Sequence, residues 1–174
     1  MANYHNLLSK TDRALVAYLV AQEAGTVADV LPAKRSQDRT LPATVCFSNR
    51  GQEAAPYSGT YVVSASIIVR SPGAVELNAA ANDARLASEE RVAQTFDAFH
   101  KDIDSAGDKL ADDITAAARA LAIADPDNNG DLADFTVLDV VIKGIDAGVE
   151  EGTVVWTDTL ELELVCCPSN VSDQ

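Results

Sequence analysis

Residues 159–166, Thr-Leu-Glu-Leu-Glu-Leu-Val-Cys, alternate polar and apolar side chains along the last apolar segment of the chain. Because successive side chains of a β-strand point to opposite faces, this alternation predicts a strand over Thr153–Cys167. Its inward side chains are then Leu160, Leu162, Leu164 and Cys166, and its outward side chains are Thr159, Glu161, Glu163 and Val165. Two outward glutamates predict a polar, water-facing sheet surface.

The remaining elements are predicted from hydrophobic periodicity and from turn residues. The segments with helical spacing or composition are Asn6–Ala24, Asn78–Phe99 and Asp108–Ala124. The strand-like segments are the short apolar run Val27–Leu31, then Ala43–Phe47, Gly59–Arg70, Phe135–Ile145 and Thr153–Cys167. The order α–β–β–β–α–α–β–β predicts an α+β fold with a mostly antiparallel sheet flanked by helices, forming a single domain over residues 1–174. The second and third helices are expected to cover one face of the sheet.

The charge of the chain is strongly negative, with 13 Lys and Arg against 27 Asp and Glu and a net charge of −14. Residues 1–70 carry seven basic and five acidic residues, whereas residues 71–174 carry six and twenty-two. This balance argues against a duplex-binding surface, which needs clustered Lys and Arg. No apolar run is long enough to cross a bilayer, and the N-terminus lacks the pattern of a secretion signal. We therefore expect a protein that folds in the cytoplasm and has no membrane partner.

Signatures of catalysis are missing from the sequence. The two histidines, His5 and His100, lie in no nucleophile or metal motif, and neither a P-loop nor a G-x-G-x-x-G sequence is present. Cys166 and Cys167 are adjacent and no C-x-x-C spacing occurs, so we expect Cys46 and one of the pair to be buried as small apolar residues. The sequence thus predicts a protein that is not an enzyme and uses no cofactor.

One loop imitates a calcium site. Asp125, Asp127, Asn129 and Asp131, with Gly130, match the front of an EF-hand loop, whose oxygen ligands recur at alternate positions. However, the twelfth position is Thr136 instead of a bidentate glutamate, and a strand is predicted to follow. We therefore favour a simple turn, for which Asp, Asn, Pro and Gly are the usual residues. A calcium-binding module using this loop remains the alternative from a different functional class.

The order of elements resembles the tail terminator (tail completion) and neck protein family of tailed bacteriophages. The segments that carry the resemblance are a leading helix, the run Leu41-Pro42-Ala43-Thr44-Val45-Cys46-Phe47, the strand Tyr61–Arg70, two helices, and the closing hairpin that ends Trp156-Thr157-Asp158-Thr159-Leu160-Glu161-Leu162-Glu163-Leu164. It covers nearly the whole chain. Proteins of this family diverge greatly and have no invariant catalytic signature.

The resemblance implies a structural protein of the virion, assembled in the host cytoplasm as a homo-oligomeric, hexameric ring. Such a ring ends tube polymerisation, contacts the tail tube protein and the head-side neck or connector proteins, and lets DNA pass without binding it specifically. Glu161 and Glu163 are then candidates for the acidic wall of the channel, because carboxylates repel phosphate. The basic residues Lys34, Arg35 and Arg39 are candidates for contact with a neighbouring subunit. Trp156 is either a core or sheet-edge anchor or an interface residue. A head-side stopper or adaptor remains an alternative within the same class.

Overall fold

The computed structural model describes residues 4–24, 30–32, 43–72, 79–100, 108–149 and 155–168. These ranges contain four α-helices, a 3₁₀ turn and five strands. Apart from a four-residue helix and the 3₁₀ turn before the fourth strand, their order is the predicted one. The elements are α1 (Tyr4–Ala21), β1 (Val30–Pro32), β2 (Ala43–Glu53), β3 (Tyr61–Pro72), α2 (Ala79–His100), α3 (Asp108–Ala124), α4 (Pro126–Asn129), the 3₁₀ turn Gly130–Leu132, β4 (Thr136–Val149) and β5 (Val155–Cys167).

The five strands form one sheet in the order β1-β2-β3-β5-β4. The short β1 runs parallel to β2, and the other three neighbouring pairs are antiparallel. The α+β fold with a mostly antiparallel sheet is therefore confirmed. Because β5 lies between β3 and β4, the closing hairpin adds β4 as an edge strand.

The hydrophobic core lies between one face of the sheet and the helices. Alternate residues of β3 and β5 point into it, including Val63, Ile67, Leu160 and Leu164, each fully buried. The helices contribute the side chains Leu15, Tyr18, Leu19, Phe99, Leu110 and Ile114. We call this side of the sheet the helical face and the opposite side the outer face. The predicted alternation of β5 is confirmed.

Helical cover of the sheet differs from the prediction. We expected the second and third helices to provide it, but α1 also contacts β1 and β2, and it packs against α3, which contacts β4. Helix α2 joins the core through its last turns, where Thr95, Ala98 and Phe99 are buried. The hydroxyl of Tyr18 donates a hydrogen bond to the carbonyl of Ala98, which fixes α2 against α1.

Strand β2 is longer than predicted. The sequence predicted that this strand ends at Phe47, but β2 continues to Glu53 with an irregularity between Ser48 and Arg50. The added part of the strand contains Gly51, and glycine within a strand often marks a close approach of another element. A Cβ at this position would lie 3.0 Å from Cδ2 of Leu7, so glycine lets α1 pack directly on the strand.

Candidate assembly surface

The outer face of the sheet carries the two predicted channel residues. Glu161 is exposed and Glu163 is half-buried, and both point away from the core, as the alternation predicts. Glu161 lies opposite Ser66 of β3 and Gly144 of β4. Phe47 on β2 and Val141 on β4 are 42 % and 41 % exposed on the same face. The centre of this face and its β4 side are therefore open to solvent.

Charges on the outer face are mixed and not uniformly acidic. Lys143 forms an ion pair with Glu163, with Nζ 3.3 Å from Oε1. Among the described strand residues, the outer face holds four carboxylates and three cations, which are Asp139, Asp146, Glu161, Glu163, Arg50, Arg70 and Lys143. This arrangement gives a polar surface with a small negative balance, in contrast to the strongly acidic wall that the two glutamates alone suggested.

A shallow hollow of about 130 Å³ lies at the centre of the outer face. Its lining includes Asn49, Ser64, Ser66, Lys143, Glu161 and Glu163. The hollow is open and mostly polar, unlike the enclosed apolar pockets that bind small molecules. It therefore gives no reason to expect a substrate.

Trp156 lies near the start of β5, opposite Ser71 of β3 and Val149 of β4. By strand alternation it is on the helical face, but at an end of the strand where its side chain is 53 % exposed. Ile145 on β4 is 52 % exposed on the same face. Trp156 is thus not a core residue, and its exposure is consistent with an interface role.

The three basic interface candidates, Lys34, Arg35 and Arg39, lie outside the described residues. Their predicted contact with a neighbouring subunit stays a prediction. His100 is exposed at the end of α2, and His5 lies in α1. The prediction that the chain is not an enzyme likewise remains untested.

The acidic loop at residues 125–131 forms a short helix followed by a 3₁₀ turn, and β4 starts at Thr136. Its oxygens are used within the protein. The carboxylate of Asp125 accepts hydrogen bonds from the side-chain amides of Asn128 and Asn129. The carboxylate of Asp131 accepts two from Arg13, at 2.8 and 2.7 Å. The carboxylates of Asp125 and Asp131 are therefore both engaged with side chains of the protein itself.

Arg13 connects α1 to this loop through a bidentate pair with Asp131 and further hydrogen bonds to the carbonyl of Asn128 and the Oδ1 of Asn129. We expect Arg13→Ala to lower the free energy of unfolding by about 1–2 kcal/mol, because bidentate charge-assisted hydrogen bonds are stronger than neutral ones. Urea unfolding followed by circular dichroism measures the change. Lys143→Ala is the control, since its more exposed ion pair should contribute less than about 0.5 kcal/mol. Equal losses in the two variants would contradict the structural role of Arg13.

Two buried polar residues of α1 were missed by the sequence analysis. Lys10 donates from Nζ to the carbonyl of Pro168 at 2.8 Å, and burial lowers the pKa of its ammonium, while Asp131 opposes that effect. Asp12 accepts a hydrogen bond from the backbone N–H of Ser48 at 2.7 Å. The signal was the polar run Lys10-Thr11-Asp12-Arg13 in the middle of an otherwise apolar helix. Lys10 and Asp12 thus connect α1 to the residue that follows β5 and to β2.

Among the described residues, no group of three or more His, Cys, Asp or Glu is arranged to hold a metal ion. None of the helices in the described ranges is long and apolar enough to span a membrane. No protein-family model matches the sequence, and no curated protein shows significant similarity to it. The function must therefore be argued from the surface described above and from the order of elements.

Proposed function

We propose that the chain is a non-enzymatic structural protein of a tailed-phage virion. In this proposal about six copies form a closed ring at the head-proximal end of the tail, where the ring ends tube polymerisation and joins the tail to the head-side connector. The observation that carries the proposal is a sheet with helices packed on one face and an outer face that is polar and open to solvent at its centre and on its β4 side. Such a layer can line a channel while its helices face outward. The element order that resembles the tail terminator family supports the same assignment.

The charge of the outer face suits passage of DNA better than binding of DNA. A binding surface needs clustered cations, whereas here Lys143 is paired with Glu163 and the face has slightly more carboxylates than cations. The net charge of −14 adds a repulsive background for phosphate. DNA could therefore slide past the face without being held.

A closed ring requires a head-to-tail contact between two different surfaces of each subunit. We assign one of these surfaces to Lys34, Arg35 and Arg39, because most of the acidic residues lie in the second part of the chain. Trp156 is our candidate for an apolar contact at the edge of that interface, since half of its side chain is exposed.

Charge reversal of the basic loop tests the proposal. We expect wild-type protein to form rings of about six chains, measured by native mass spectrometry and seen as annuli by negative stain. The variant Lys34→Glu/Arg35→Glu/Arg39→Glu should lose the ring. The control Arg50→Glu/Lys109→Glu/Arg119→Glu changes the net charge equally at exposed positions and should keep it.

The outcomes separate the hypotheses. Rings in the basic-loop variant would contradict the assigned contact, and wild-type protein that never exceeds a dimer up to about 1 mM would contradict the ring. A shift in mass or a release of heat on adding Ca²⁺ would instead favour a calcium-binding module at residues 125–131. Rings that bind a head-side connector but not tail tubes would identify a stopper or adaptor.

A further inference from the structure

Strand β4 is a long edge of the sheet. It spans Thr136–Val149 and pairs with β5 on one side only among the described residues. The opposite edge of the sheet is the three-residue β1. An exposed strand edge presents unpaired N–H and C=O groups and is a template for pairing with another chain.

Apolar exposure is concentrated on this strand. Leu138, Val141 and Ile145 are 49 %, 41 % and 52 % exposed, which makes them three of the eight exposed large apolar residues in the described part of the chain. β4 is irregular between Val137 and Asp139 and between Ile142 and Gly144. Residues 139–142 lie between these irregularities and pair regularly with β5. This segment is therefore the part of the edge best suited to receive another strand.

The backbone polarity of this segment can be assigned from one hydrogen bond. The N–H of Val140 donates to Oδ1 of Asp139 at 2.9 Å. An N–H directed at this carboxylate is directed away from β5, and in an antiparallel ladder the residue two positions along presents its groups to the same side. Val140 and Ile142 thus offer their N–H and C=O groups to the free edge.

The segment carries charges of both signs, which can pair with the charges of the same segment in a second copy. In a two-fold antiparallel pairing centred on Val141, Val140 of each copy lies opposite Ile142 of the other, and each of the two pairs can exchange two hydrogen bonds. The same register places Asp139 opposite Lys143 twice, on the outer face. Opposite charges across a strand pair are stabilising, and Val141 meets its own copy at the axis.

We propose that two copies of this chain pair through β4 in this register and form a dimer with one continuous sheet. The partner is a second copy because this register pairs the backbone groups of residues 140 and 142, brings opposite charges together twice and places Val141 at the two-fold axis. The Asp139 carboxylate that accepts from Val140 in the single chain turns to Lys143 of the second copy. The dimer does not depend on the proposed ring, whose contact uses the basic loop.

Sedimentation equilibrium from about 1 µM to 1 mM tests the pairing in full-length protein. Asp139→Lys and Lys143→Asp each turn two attractive pairs into repulsive ones, so each should raise the dissociation constant about tenfold or more. The double variant Asp139→Lys/Lys143→Asp restores opposite charges and should recover dimerisation. Val140→Pro removes an N–H from the free edge and should abolish the dimer, while Asp112→Lys at an exposed position of α3 should leave it unchanged.

Circular dichroism is used to check that each variant is folded. If Val140→Pro does not fold, the comparison of the single and double charge variants still decides the test. Wild-type protein that is monomeric throughout the concentration range would overturn the proposal. So would a double variant that dimerises as weakly as the single variants. Wild-type protein that forms rings, but whose dimer dissociation constant is the same in all the β4 variants, would overturn the pairing and leave the proposed function standing.

Discussion

Asp12→Ala is expected to lower the free energy of unfolding by about 2–3 kcal/mol, because it leaves a buried backbone N–H without its charged acceptor. Among the described residues, β1 pairs with β2 from Thr44 to Cys46. Two residues further along β2, the N–H of Ser48 donates to the carboxylate of Asp12 on α1. Asp12 thus supplies a charged acceptor for a backbone group of β2 and joins the strand to the helix. Both Asp12 and Ser48 are buried, so water cannot readily replace the carboxylate as the acceptor of the Ser48 N–H.

The conservative variant separates the lost hydrogen bond from other effects. Asp12→Asn keeps a carbonyl oxygen that can accept from Ser48, so we expect it to cost less than half as much as Asp12→Ala. Urea unfolding of both variants, followed by circular dichroism, gives the comparison. If Asp12→Ala is as stable as wild type, then the carboxylate does not hold β2 against α1.

Local patterns in the sequence were enough to predict most of the fold. The alternation at Leu160–Cys166 correctly assigned both faces of β5, and the periodicity over Asp108–Ala124 gave the bounds of α3. Cys46 and Cys166 are buried and Cys167 is only partly so, as predicted. These features depend on side-chain burial, which repeats with the period of the element itself.

Features that depend on contacts distant in sequence were not predictable. Arg13 and Asp131 are separated by 118 positions, and the sequence could not show that an arginine of α1 would use the oxygens of the loop. The same holds for Lys143, whose ion pair makes the outer face less acidic than Glu161 and Glu163 alone implied. The electrostatic role of a charged side chain depends on its partner in space, which its neighbours in the chain do not reveal.

The protein should lose stability steeply above pH 9 because two of its thiols are buried. Burial raises the pKa of Cys166 to about 12, with a smaller contribution from Cys167 and an opposing one from Thr11. Burial also raises the pKa of Cys46 well above its ordinary value, and Asp12 adds to this effect. The folded state therefore keeps two protons that the unfolded state releases near pH 9.

The sign of the effect follows from this difference in bound protons. Below the pKa of an unfolded thiol both states are protonated and the stability is fully present. Above it the free energy of unfolding falls by about 1.4 kcal/mol per pH unit for each thiol, until the thiol of the folded state ionises as well. Lys10 has a lowered pKa and contributes in the opposite direction as it loses its proton.

Urea unfolding at a series of pH values from 8 to about 10.5 measures the loss, which should approach about 3 kcal/mol per pH unit for the two thiols together. The variant Cys46→Ala/Cys166→Ala should be less stable at pH 8 because of the cavities it creates, but its stability should fall much less steeply with pH. Lys10 is present in both proteins, so its contribution cancels when the slopes are compared. In native protein at pH 8, iodoacetamide should label the partly exposed Cys167 before the two buried thiols. Parallel pH profiles in wild type and variant would show that the buried thiols do not determine the alkaline limit of the fold.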